Sequence, residues 1–237
     1  MRAVQAVAWK EIHIYFGSPM AYIVGLIFLG LTGFFFVRDL GDPFPEASLS
    51  SFLQGTTIIL VLLAPSLTMR LLAEEQKLGT IELLLTAPVR DWEVVVGKYL
   101  ASLVFLLAMV ALTLYYPLLL IVFGDPDPGP IYSGYLGLTL YGGAALSIGL
   151  LTSTLTSNQI IAAVVAMGIL LVLYFADFAA GVVGGTWSTV IGQIGMKSHF
   201  DDFDRGVIDT KHIVYFLSLA AVFLFLSIRA LEARRWR

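Results

Sequence analysis

Residues 73–98 read AEEQKLGTIELLLTAPVRDWEVVVGK, a charged and proline-punctuated stretch set between two long apolar runs. Those runs are typical of the chain. Of its 237 residues 58% are hydrophobic and only 13% are charged, half the share of a soluble domain, and the mean hydropathy is +0.88. Lipid is the solvent this composition is suited to, and the stretch at 73–98 is where the chain leaves it.

Outward from that stretch, apolar runs of near-spanning length fall at about 20–37, 52–72, 92–122, 132–155, 159–180 and 212–230, each close to the roughly 20 residues a bilayer crossing needs. The sequence therefore predicts an all-α membrane protein with six transmembrane helices in a single domain over 1–237. Pro65 and Pro117 fall inside the second and third runs, where each ring removes a backbone donor and predicts a kink or break. The third run is too long for one perpendicular crossing, so its start, 91–95, is expected in water, with Asp91 as N-cap and Glu93 in the first turn.

Arg2, Lys10, Arg70, Lys77, Arg90, Lys98, Arg229, Arg234, Arg235 and Arg237 fall on one side of a six-span topology. Only Arg38, Lys197, Arg205 and Lys211 fall on the other. The positive-inside rule places both termini and residues 73–98 in the cytoplasm. The leading segment puts Val4, Val7, Ala8, Ile12, Tyr15 and Phe16 on one helical stripe, as expected of a helix over 1–18 lying along the inner interface. Glu11 fits that stripe least well.

Within 73–98, Gly79 breaks the helix leaving the second span, Thr80 is placed to cap a new one, and IELLLTA runs about two turns before Pro88. A short helix displaying Leu83, Leu84 and Leu85 beside Glu82, with Glu74 and Glu75 before it and Arg90 after it, suits a groove on another protein.

The run EEQKLGTIELLLTAPV resembles the first cytoplasmic loop of ABC-2 type permeases, as do WKEIHIYFGSPMAYIVGLIFLGLTGFFF near the start and SHFDDFDRGVIDTKHIVYFLSL near the end. Together they are similar to the gliding-motility (Gld) permease branch. The resemblance implies a type V, ABCG-like exporter fold in a prokaryotic cytoplasmic membrane, in which 74–90 is the coupling helix that docks on a separate cytoplasmic ABC ATPase. It further implies a second permease copy or a related permease, an extracytoplasmic accessory protein as a separate polypeptide, and ATP and Mg held by the partner rather than by this chain.

No chemistry is expected in the chain itself. VVVGKY at 94–99 lacks the first glycine and the hydroxyl of a phosphate-binding loop. His13, His199 and His212 are scattered in sequence and read as interface or loop residues, cysteine is absent, and the net charge of −3 argues against nucleic acid. The stripes Ala145, Gly149, Ser153 and Ala162, Ala166 suit close helix packing within the subunit, and Asp177 falls at an outer span end.

Between the last two spans, Trp187, Val190, Ile191 and Ile194 have helical spacing but too little apolar length to cross. This predicts an outer re-entrant or interfacial helix that the resemblance makes an outer gate. Asp201, Asp202 and Asp204 read as a solvated charge run. An ion- or proton-coupled secondary transporter would carry midplane charges, whereas here the charges sit at span ends. A non-transporting membrane scaffold is the remaining alternative.

Overall fold

The computed structural model describes residues 2–40, 48–81, 89–183 and 185–235. Among them every regular element is a helix: α1 (Arg2–Gly17), α2 (Pro19–Leu40), α3 (Ser50–Thr68), α4 (Ala73–Lys77), α5 (Asp91–Leu112), α6 (Tyr115–Phe123), α7 (Pro128–Leu155), α8 (Gln159–Val183), α9 (Gly185–Ile194), α10 (Met196–Asp204) and α11 (Thr210–Arg235). Six stretches are long and apolar enough to cross a membrane, at Pro19–Arg38, Ser50–Lys77, Asp91–Phe123, Pro128–Leu155, Gln159–Val183 and Thr210–Arg234. These are the six runs predicted from hydropathy.

Burial sorts the spans. About 78% of the most apolar window of α7 and 72% of that of the α3 span lie inside the subunit, against 22% for α2, 22% for α8 and 17% for α11. Two helices thus form the centre, and the rest present Leu26, Val172 and Phe178, among others, outward. Since lipid is as apolar as leucine, helices in it associate through close packing and hydrogen bonds rather than through a hydrophobic drive. The α7 sequence supplies both. Ala145 and Ser153 are fully buried, and Gly149 lies so close to Thr68 of α3 that a Cβ there would overlap the threonine side chain. Ala162 and Ala166 of α8 are likewise buried, so both small-residue stripes serve packing within the subunit.

The third span breaks where its proline predicts. Pro117 has no N–H to bond the carbonyl of Thr113, four residues back. α5 ends at Leu112 and α6 restarts at Tyr115. The Thr113 carbonyl accepts instead from the Tyr116 N–H at 2.9 Å and from the Tyr135 hydroxyl of α7 at 2.8 Å. At the other end of the span the cap differs by one residue from expectation. Arg90, not Asp91, is the extended residue before the helix. Glu93 reaches back to accept from the Arg90 N–H at 3.0 Å, the half of a capping box that an arginine N-cap permits.

The spans alternate in direction, so the bundle has two chemically distinct ends. The basic end gathers α1, α4, the start of α5 and the close of α11, where Arg234 donates to the Leu155 carbonyl at 2.8 Å. The acidic end gathers α9, α10, the starts of α3 and α7 and the start of α11.

Candidate functional site

At the basic end, the chain turns from α3 into α4 under the tip of α7. The Ser153 hydroxyl accepts from the Leu72 and Ala73 N–H groups, both at 3.0 Å, and donates to the Met69 carbonyl at 3.0 Å. One side chain thereby satisfies three backbone groups that the helix break exposes. Gln76 adds donations to the Ser153 and Thr154 carbonyls at 3.3 and 2.9 Å. Gly79 then takes φ of +72°, a left-handed conformation that other residues adopt at a steric penalty, and α4 stops. The Thr80 hydroxyl donates back to the Glu75 carbonyl at 3.3 Å, closing α4; the helix expected after it runs into residues 82–88, outside the described residues.

Beside α4 lies a buried ion cluster. Lys98 Nζ sits 2.7 Å from Glu11 Oε1 and 2.9 Å from Glu75 Oε1, and Lys98 itself is 2% exposed. Lys10, at the solvent side, lies 3.7 Å from Glu75 and 4.0 Å from Glu11. Two lysines thus balance two carboxylates, which is the condition under which charge tolerates burial. The cluster joins α1, α4 and α5. It also explains Glu11, the misfit of the amphipathic stripe: that carboxylate turns inward to the cluster, and the Tyr15 hydroxyl beside it donates to the Leu67 carbonyl at 2.7 Å. Of residues 91–95, expected in water, Trp92 is exposed while Val94 and Val95 are buried against the bundle.

The cluster floors a cleft of about 490 Å³ whose rim includes Arg70, Glu74, Leu78 and Thr80. Arg70 lies over the Tyr15 ring, its guanidinium carbon 5.0 Å from the centroid. Of the residues singled out from sequence, the structure brings Glu74, Glu75 and Thr80 to this cleft, places Gly79 at its edge and leaves Arg90 exposed at the head of α5. Glu82, Leu83, Leu84, Leu85 and Pro88 lie outside the described residues. Lys98 and Glu11 were missed as site residues, being distant in sequence from each other.

At the acidic end, α9 folds back along α8, with Gly192 3.8 Å from Ala180 at the Cβ position. Val190 and Ile194 are exposed at 46% and 49%, Ile191 is half-buried, and the Trp187 side chain lies outside the described residues. This is the short helix between the last two spans expected from the spacing. Asp177 of α8 accepts from the Ser198 N–H at 2.9 Å, capping α10 from a neighbouring helix.

Two sequence readings are corrected here. The aspartates are not a solvated run: Asp204 is 7% exposed and accepts from Ser50 Oγ at 2.6 Å and Gln54 Nε2 at 2.9 Å. Burial pushes the Asp201 carboxyl above the usual range. Nor are His199 and His212 apart in space, although His13 lies at the basic end. His199 Nδ1 and His212 Nδ1 are 2.7 Å apart, and His212 Nε2 is 2.6 Å from Asp202 Oδ2. His199 and Asp202 are three residues apart on one face of α10, a spacing that was visible in the sequence. No group of three or more candidate ligands among the described residues is arranged to hold a metal.

The family profile described as ABC-2 family transporter protein matches residues 37–196, from the end of α2 to the start of α10. The chain belongs to the ABC-2 transporter family. No curated protein sequence matches it. As an ABC-2 family member it is a multi-pass membrane protein and a permease subunit of an ABC transporter. The matched region includes Glu75, Ser153 and Lys98, while Glu11 and His212 lie beyond it.

Proposed function

We propose that this permease subunit couples ATP hydrolysis by a separate cytoplasmic ABC ATPase to export or mechanical work across a prokaryotic inner membrane. In this reading the basic end faces the cytoplasm, residues 74–90 dock on the ATPase, and ATP and Mg stay on that partner. Two copies, or one copy with a related permease, make the working pair. The short helix α9 with Trp187, Val190, Ile191 and Ile194 forms an outer gate, and an extracytoplasmic accessory protein joins at that side. The sequence resemblance favours the gliding-motility-like branch.

The observation that carries this reading is the family match across residues 37–196, which contains the whole charged connection. Supporting it, the root of that connection is fixed to the bundle on two sides, by Glu75 on Lys98 and by Gln76 and Ser153 on the end of α7. A docking segment rooted this way delivers movement of a partner to the spans.

The test is copurification from native membranes on an affinity-tagged permease, with the retained ATPase and the transport per ATP both measured. Leu84→Asp puts a charge into an apolar groove and is expected to lose the ATPase. Glu82→Arg inverts one polar contact and is expected to retain ATPase while lowering transport per ATP. Wild-type values for both variants would show that Glu82 and Leu84 do not contact the ATPase.

A further inference from the structure

The acidic end carries a hydrogen-bonded chain that docking at the basic end does not require. The Gln193 carbonyl of α9 lies 3.1 Å from His199 Nε2, His199 Nδ1 lies 2.7 Å from His212 Nδ1, and His212 Nε2 lies 2.6 Å from Asp202 Oδ2. Each link needs a proton between its heavy atoms. A carbonyl has none to give, so the first proton is on His199 Nε2. A neutral His199 then offers Nδ1 as an acceptor, and the second proton is on His212 Nδ1. The third lies between His212 Nε2 and Asp202. Three links need three protons, whereas two neutral imidazoles and a carboxylate hold two.

We infer that His199, His212 and Asp202 form a proton-binding site that takes up one proton beyond the neutral imidazoles and so ties α9, α10 and α11 together. The ligand is a proton rather than a metal ion, because two imidazole nitrogens on one tetrahedral zinc stand about 3.3 Å apart, well beyond the 2.7 Å found. Releasing the proton leaves either two lone pairs facing each other between the rings or a lone pair facing the carboxylate. Adding another sets two N–H groups against each other at the ring contact. The tie is therefore complete only between these limits.

The surroundings set the limits. Burial disfavours a charged His199, the Gln193 carbonyl and Asp177 of α8 favour it, and His212 and Lys211 of α11 oppose it; burial prevails and holds His199 below the ordinary histidine range, which resists the second proton. The Tyr215 ring stacks on His199 with centroids 3.8 Å apart, and the Tyr215 hydroxyl donates to the Ile194 carbonyl. Lys211 Nζ lies 3.8 Å from Asp202 and 3.2 Å from Asp209. The His212 side chain is 5% exposed and that of Asp202 33%, so the proton exchanges with water at the Asp202 end.

The test uses the full chain in lipid nanodiscs with 15N-labelled histidine. Only three histidines are present, and His13→Gln removes the one at the basic end. The expected result near neutral pH is one ring protonated on both nitrogens and one protonated on Nε2 alone, with both rings changing together as a single proton leaves on raising the pH. In Asp202→Asn that release moves at least one pH unit lower. Amide exchange across 193–199, corrected for the intrinsic pH dependence of exchange, is expected to be about tenfold faster once the proton has gone. Two rings that titrate independently, an Asp202→Asn curve that overlays the wild type, or stoichiometric zinc binding that shifts both rings would each overturn the inference.

Discussion

Replacing Lys98 with methionine removes the only fully buried cation from the basic-end cluster while keeping the side chain's length. It leaves Glu11 and Glu75, whose side chains are 9% and 17% exposed, facing each other. Breaking a buried pair by removing one partner costs about 3–5 kcal/mol, because an uncompensated charge stays behind. Lys10 approaches both carboxylates but is 62% exposed, so it offsets part of the loss and the lower figure applies. About 3 kcal/mol is a more than hundredfold fall in the folding equilibrium constant. Equilibrium unfolding in mixed micelles, followed by the fluorescence of the four tryptophans, measures it. The variant Lys98→Met with Glu11→Gln and Glu75→Gln removes the stranded charges and is expected to recover most of the stability. Lys10→Ala, at the exposed edge, is expected to cost less than about 1 kcal/mol. A Lys98→Met loss equally small would refute the reasoning, since it would mean that water reaches the cluster freely.

Ser153→Ala strands the buried Leu72 and Ala73 N–H groups and is expected to cost about 1–3 kcal/mol in the same assay. Ser147→Ala, whose hydroxyl bonds only to a carbonyl of its own helix, should be nearly neutral. Asp201→Asn is expected to stabilise the protein at neutral pH: burial raises the folded carboxyl, so its charged form opposes folding there. That gain should vanish as the pH falls through the raised range toward 3.8, where the acid is protonated folded and unfolded alike. For orientation, Arg205→Cys in intact cells should react with an impermeant thiol reagent and Lys77→Cys should not; labelling of Lys77→Cys would invert the topology.

Six spans and the proline break were legible because a long apolar run and a missing N–H act locally, whatever the fold. The clusters were not, because they depend on which helix faces which. Lys98 is 87 residues from Glu11 and 23 from Glu75, and in sequence it looked like the remnant of a phosphate loop. Glu11 did leave a signal as the one carboxylate on an otherwise apolar stripe. His199 and His212 are separated by the turn between α10 and α11, which hydropathy does not resolve.

α7 is the longest helix described, 28 residues, or about 42 Å from end to end. It is pinned by a serine near each tip: Ser153 to the α3–α4 turn, and Ser133, which donates to the Phe203 carbonyl of α10 at 2.6 Å. Between the pins it is sheathed by its neighbours, with no proline to let it fold. Such a part behaves like a piston rod. A slide of an ångström at one tip is a slide of an ångström at the other, and α4 and α10 share that stroke although a bilayer's thickness separates them.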